Sequence, residues 1–142
     1  MSHQVGQKAP EFIGLTQTGK EIALKDYKGK KVVLYFYPKD NTPGCTKQAC
    51  NLRDNYELLQ KKEYVVIGVS NDSVASHQRF SNKYELPFPL ISDKEKIITK
   101  AYDVGTVLTF PKRTTFVIDE KGYIVKIITS VKTTDHTQQI LA

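Results

Sequence analysis

Three observations predict an α/β fold with a central mixed β-sheet flanked by helices. Two apolar runs, Lys31 to Tyr37 and Tyr64 to Ser70, read as strands buried on both faces. Segments with apolar residues three and four apart alternate with these runs, as helices packed on a parallel sheet would. Near the C-terminus, two more strand-like runs flank Glu120-Lys121-Gly122, the pattern of an antiparallel hairpin.

In chain order, weak strands around Phe12 to Leu15 and Glu21 to Leu24 enclose the turn Gln17-Thr18-Gly19-Lys20 and predict an N-terminal edge hairpin. The strand ending at Tyr37 is stopped by Pro38, which has no N–H for a ladder. Ala49, Leu52, Tyr56 and Leu59 form one stripe, predicting a helix from about Pro43 to Lys62. After the second buried strand, Ser73 is placed to cap a helix running to about Tyr84. Leu90-Ile91-Ser92 supplies a short strand, and Asp93 is placed to cap a short helix carrying Ile97, Ile98, Ala101 and Tyr102. Thr114 to Asp119 and Tyr123 to Thr129 form the late hairpin, and Thr134 or Asp135 opens a last helix. This order fits a thioredoxin-like fold, and open sheets of that kind place chemistry where a central strand passes into a helix N-terminus. Here that place is Pro38 to Cys45.

The 142 residues, 39% apolar, suit one domain over residues 1–142, without repeats or linkers. Two cysteines, Cys45 and Cys50, exclude a disulfide scaffold, and His3, His77 and His136 are too scattered to complete a zinc site. The histidines are expected at the surface, and no metal or cofactor is expected. The longest apolar run, Val32 to Tyr37, is six residues, far short of the roughly 20 of a membrane span. No basic-then-apolar leader opens the chain, so a cytoplasmic location is expected. The net charge of +6 comes without an aromatic-studded basic stripe, so a solvated basic surface is expected rather than a nucleic-acid site.

Thr42 is suited to an N-cap and Pro43 to the first helical position, which puts Cys45 in the first turn. Unpaired N–H groups and the macrodipole there favour a thiolate. Packing on the stripe of Ala49 and Leu52 explains a cysteine there equally well. Cys50 lies five residues on, a rise of about 7.5 Å and a rotation of about 140° past one turn. Two thiols so placed cannot be bridged in an intact helix, so any bridge between them requires the first turns to unwind.

Pro38-x-x-x-Thr42-x-x-Cys45 is similar to the active-site pattern of the peroxiredoxins, and Thr42-Pro-Gly-Cys-Thr-x-x-Ala-Cys50 resembles their bacterioferritin comigratory protein, or peroxiredoxin Q, subfamily. The resemblance extends to Val5-Gly-x-x-Ala-Pro-Glu-Phe12, Tyr35-Phe-Tyr-Pro38, Asn51-Leu-Arg-Asp54, Val66-Ile-Gly-Val-Ser70, Leu86-Pro-Phe-Pro-Leu-Ile-Ser-Asp93 and Arg113-x-Thr-Phe-Val-Ile-Asp119. It implies a thiol-dependent peroxidase for hydrogen peroxide and organic hydroperoxides. Cys45 would be the peroxidatic thiolate that becomes a sulfenic acid, and Cys50 the resolving thiol of an intramolecular disulfide. Thr42, the backbone around Gly44 and Cys45, and Arg113 would bind the peroxide, with Pro38 shielding the pocket. A thioredoxin-type dithiol would recycle the enzyme, which the subfamily suggests is a monomer.

Three departures qualify the carry-over. Gln48 stands where many members have Glu, the 103–112 loop is shorter than usual, and the terminal helix is expected in truncated form, ending after about two turns. Arg53 matches the pattern without an assignable role beyond a helix ion pair. The rivals are a thiol–disulfide oxidoreductase, which would normally carry C-x-x-C, and a non-enzymatic basic binding module.

Overall fold

The computed structural model describes residues 3–142, so Met1 and Ser2 of the leader reading lie outside it. One seven-stranded sheet runs in the order β2-β1-β5-β4-β3-β8-β9. Its strands are β1 (Ile13–Thr16), β2 (Glu21–Ala23), β3 (Lys31–Phe36), β4 (Tyr64–Ser70), β5 (Leu90–Ser92), β8 (Thr114–Ile118) and β9 (Ile124–Ile128). β3 pairs parallel with β4, and β4 with β5; β8 lies antiparallel to both β3 and β9. The mixed sheet, the N-terminal hairpin and the late hairpin thus follow the sequence expectation.

The helices are α1 (Pro43–Asp54), α2 (Tyr56–Lys61), α3 (Val74–Tyr84), α4 (Ile97–Ala101) and α5 (His136–Leu141). Strand alternation divides the core between the sheet's two faces. Val33, Tyr35 and Tyr37 pack with Cys45, Ala49 and Leu52 of α1, Leu59 of α2, Phe80 of α3 and Ile140 of α5. Val32, Leu34 and Phe36 point the other way, toward Phe12, Ile98 and Tyr102. The run with no polar alternation therefore reflects a strand covered on both sides.

The single helix expected from Pro43 to Lys62 is instead two. Asn55 breaks it at φ −108°, ψ 11°, and its side-chain amide donates to the Asn51 carbonyl at 2.8 Å. A short amide side chain bonding back to the turn behind it competes with the helical ladder. Ser73 caps α3 as expected, accepting from the Ser76 N–H. Asp93 acts from farther away than expected: Lys96, at φ 60°, holds the cap position, and the Asp93 carboxylate accepts from the N–H groups of Ile98 and Thr99. The 103–112 loop contains an unforeseen two-stranded hairpin, β6 (Thr106–Val107) with β7 (Phe110–Pro111).

Candidate active site

The C-terminal end of β3 enters α1 through Pro38, Asp40, Asn41 and Thr42. Asn41 takes the left-handed conformation at φ 59°, which an asparagine tolerates better than most residues. Thr42 has the extended backbone of an N-cap, and its carbonyl accepts from the Thr46 N–H at 2.8 Å. Its hydroxyl does not cap the helix. Oγ1 donates to the Lys39 carbonyl at 2.8 Å, which leaves its lone pairs as acceptors.

Cys45 is the third residue of α1, in the turn whose N–H groups have no carbonyl partner inside the helix. It is 1% exposed, with its sulfur turned toward the sheet cluster. The antiparallel pairing of β8 on β3 sets Phe36 opposite Thr114, so the preceding Arg113 emerges beside the end of β3. Arg113 Nη1 donates to Cys45 Sγ at 3.4 Å and to Gln48 Oε1 at 2.8 Å. A β-carbon at residue 44 would stand 3.0 Å from Arg113 Nη2, so Gly44 lets the guanidinium approach the helix. The sulfur thus faces a fixed cation and the positive end of a helix, both favouring an anion.

Cys50 is half-buried one and a half turns further along the same unbroken helix, and neither thiol is bridged. Pro38 is half-buried where β3 ends. Gln48 is fully buried; its Oε1 holds Arg113, while Nε2 has no partner among the described residues. The Tyr35 hydroxyl beneath the site is likewise buried and unpartnered, and burial pushes this phenol well above the usual range. Arg53 does more than pair with Asp54, because its Nη1 also donates to the Tyr84 carbonyl.

Two histidines are not at the surface as expected: His77 and His136 are both 0% exposed. Each ring nitrogen has a polar partner, which removes the usual cost of burying an imidazole. His136 lies behind the site, Nε2 on Thr115 Oγ1 and Nδ1 on Gln139 Oε1, each at 2.9 Å. Burial holds its pKa below the ordinary value, with Arg113 adding to the effect and the Gln139 contact opposing it. His77 contacts Asp40 at 2.6 Å. Asp40 has no role in the sequence reading, and His77 was expected at the surface; their signal was a polar pair flanking buried strands, with no motif to join them. Asp40, Asp72 and His77 are close enough together to suggest a metal site, yet Asp40 Oδ1 already accepts from Tyr37, Oδ2 accepts from Ser76, and His77 Nδ1 meets Oδ2.

The thioredoxin-like sheet, together with a helix-start sulfur held against a guanidinium, defines a redox-active thiol enzyme. The chain belongs to the AhpC/TSA family, which it matches over residues 5–127. Within that family it is a thiol-dependent peroxidase of the Bcp, or peroxiredoxin Q, kind. It is 43% identical to peroxiredoxin Bcp of Bacillus subtilis over 148 residues, covering 99% of this chain and 94% of that one. Over 121 residues it is 50% identical to the chloroplastic peroxiredoxin Q of Triticum aestivum, covering 84% of this chain and 56% of the longer relative. The crystal structure of a cysteine-to-serine mutant of Xylella fastidiosa PrxQ superposes with a TM-score of 0.92 at 32% identity, covering 99% of this chain and 95% of that one. Among the described residues, no helix is long and apolar enough to cross a membrane.

Proposed function

We propose that Cys45 is the peroxidatic residue and Cys50 the resolving one, and that Arg113, Thr42, Gly44 and Pro38 complete the substrate site. The observation that carries this reading is the 3.4 Å contact of Arg113 Nη1 with a sulfur in the first turn of α1. The Cys45 thiolate attacks the terminal oxygen of a hydroperoxide. A sulfur–oxygen bond forms, the oxygen–oxygen bond breaks, and water or an alcohol leaves after taking up a proton. Thr42 Oγ1, whose proton is committed to Lys39, accepts a hydrogen bond from the peroxide. The Arg113 fork and the first-turn N–H groups face the oxygens that gain charge.

Cys50 then attacks the Cys45 sulfenic sulfur, water leaves, and a disulfide forms once the turns between them unwind. A thioredoxin-type dithiol returns both thiols by exchange, taking the oxidising equivalents away. We read the substrates as hydrogen peroxide and organic hydroperoxides, the working state as a monomer, and the location as the cytoplasm, where two unbridged thiols persist. Peroxide consumption driven by thioredoxin tests the scheme. Turnover is expected to vanish in Cys45→Ser, and persistence of full turnover there would end the assignment. Cys50→Ser is expected to lose the disulfide on treatment with one equivalent of peroxide, as read by mass, and an unchanged thioredoxin-driven rate in that variant would end the resolving role.

A further inference from the structure

Resting on the Cys45 and Cys50 roles proposed above, a second question concerns how far α1 opens to bring the two thiols together. Opening must break the buried packing of Cys45, Gln48 and Ala49, which are 1%, 0% and 1% exposed. What stays fixed is set by the ties on either side. Downstream, Asn51 Nδ2 donates to the Thr134 carbonyl at 2.9 Å, and its Oδ1 accepts from Thr137 N and Oγ1 at 2.9 and 2.8 Å. Upstream, Asp40 is 6% exposed and held by four hydrogen bonds. Tyr37 Oη donates to Oδ1 at 2.7 Å, Ser76 Oγ donates to Oδ2 at 2.8 Å, the Asp40 N–H donates to Asp72 Oδ2 at 2.8 Å, and His77 Nδ1 meets Oδ2 at 2.6 Å.

The imidazole is oriented from both ends. Nε2 lies 2.9 Å from the Ile91 carbonyl, which can only accept, so Nε2 carries a hydrogen. A 2.6 Å separation between Nδ1 and a carboxylate oxygen likewise requires a proton between them. His77 therefore ties the chain five residues before Cys45 to α3 and β5 at once. Among the described residues, the side-chain hydrogen bonds that tie residues 41–50 to the rest of the molecule are the Arg113 contacts with Cys45 and Gln48, the local bond of Thr42 to the Lys39 carbonyl, and exposed, longer contacts of Asn41 with Lys83 and Tyr84.

We infer that the Asp40–His77 pair is a positioning element that confines redox opening to residues 41–50. In the closed form it holds the approach to Cys45 in line for the first oxidation. In the open form it stops unwinding from spreading back toward Tyr37. The pair thereby sets the fate of the sulfenic acid. Closed, it meets a second hydroperoxide, gains another oxygen as a sulfinic acid and releases water or an alcohol; open, it condenses with Cys50 and releases water.

Freeing even one further residue favours the open form by about tenfold through conformational entropy. Loss of the tie should therefore lower the sulfinic-to-disulfide ratio at fixed excess peroxide by about that factor, while slowing the first oxidation of Cys45. The test uses two isosteres. In His77→Asn the amide nitrogen replaces Nδ1 and keeps the Asp40 contact; in His77→Gln it replaces Nε2, keeping the Ile91 contact and losing Asp40. Asp40→Ala provides an independent removal of the tie, and Leu59→Ala, in the core outside the opening segment, controls for general loss of stability.

Products are counted by mass, as loss of two hydrogens for the disulfide against gain of two oxygens for the sulfinic acid. A ratio near that of the parent in His77→Asn and Leu59→Ala, with the same drop in His77→Gln and Asp40→Ala, is the expected result. Equal ratios in all four variants, or an equal drop in Leu59→Ala, would overturn the positioning role. Failure of the parent to form the intramolecular disulfide would instead overturn the Cys50 assignment on which it rests. If His77→Gln does not fold, Asp40→Ala against Leu59→Ala decides alone.

Discussion

Replacing Arg113 with Met keeps most of the side-chain volume and removes the cation that faces Cys45. At the observed 3.4 Å, a full unit charge would act on a thiolate with about 5 kcal/mol at an effective dielectric near 20. Arg113 is part-exposed and its Nη1 is shared with Gln48, so the net effect is better represented by a hydrogen bond to a charged group, about 2 kcal/mol. That corresponds to about a 30-fold loss in the second-order rate constant for Cys45 oxidation. Arg113→Lys keeps the charge as a point and loses the fork, so it should fall between parent and Met. The chain has no Trp, so quenched-flow mass spectrometry suits the assay better than indole fluorescence. Circular dichroism at the assay temperature would establish that each variant is folded. An Arg113→Met rate within about threefold of the parent would refute the electrostatic role, because even a weak charged bond is worth more than that.

Other expectations follow from the same geometry. Gln48→Glu places a carboxylate where an amide now accepts from Arg113 at 2.8 Å, so the cation is shared with a second anion. The first oxidation should slow by about threefold to tenfold while thermal stability holds or rises, and an unchanged rate would count against the sharing. Tyr35→Phe removes a buried hydroxyl without a partner among the described residues, so unfolding should be unaffected or harder by about 1 kcal/mol; a clear loss of stability would mean the hydroxyl is bonded. His136 titrates below its unfolded value because it is buried beside Arg113. The unfolded chain therefore binds the proton first as pH falls. Stability should decline from about pH 6.5 downward and level off once the folded form is also protonated. His136→Gln should flatten that slope in denaturant titrations, and a slope that persists would assign it to another group.

How much of this was legible in the sequence depends on the range of the interaction. β3 and β4 were readable because burial on both faces leaves a continuous apolar run, and Ser73 because a cap is local. Cys45 could be placed in the first turn from Thr42 and Pro43 alone. Its partner could not be derived that way. Arg113 is 68 residues distant, and only the antiparallel register of β8 on β3 brings it to the sulfur, so a motif had to stand in for geometry. The split of the long helix at Asn55 escaped because the apolar stripe continues through Tyr56 and Leu59 while one side chain diverts the backbone. His77 and His136 were misplaced because a lone histidine carries no local sign of whether polar partners await it inside.

The clamp of Asn51 on Thr134 and Thr137 joins the residue after Cys50 to the last helix of the chain. This divides the surface into a quiet side and a reporting side. An environment-sensitive dye at exposed Gln138 on α5 would ride on the clamp and give a steady signal through a catalytic cycle. The same dye at exposed Lys47, within the opening turns, would change with every disulfide formed. Carried on one molecule as two dyes of separate emission, the two positions make a ratiometric peroxide gauge with its own internal reference.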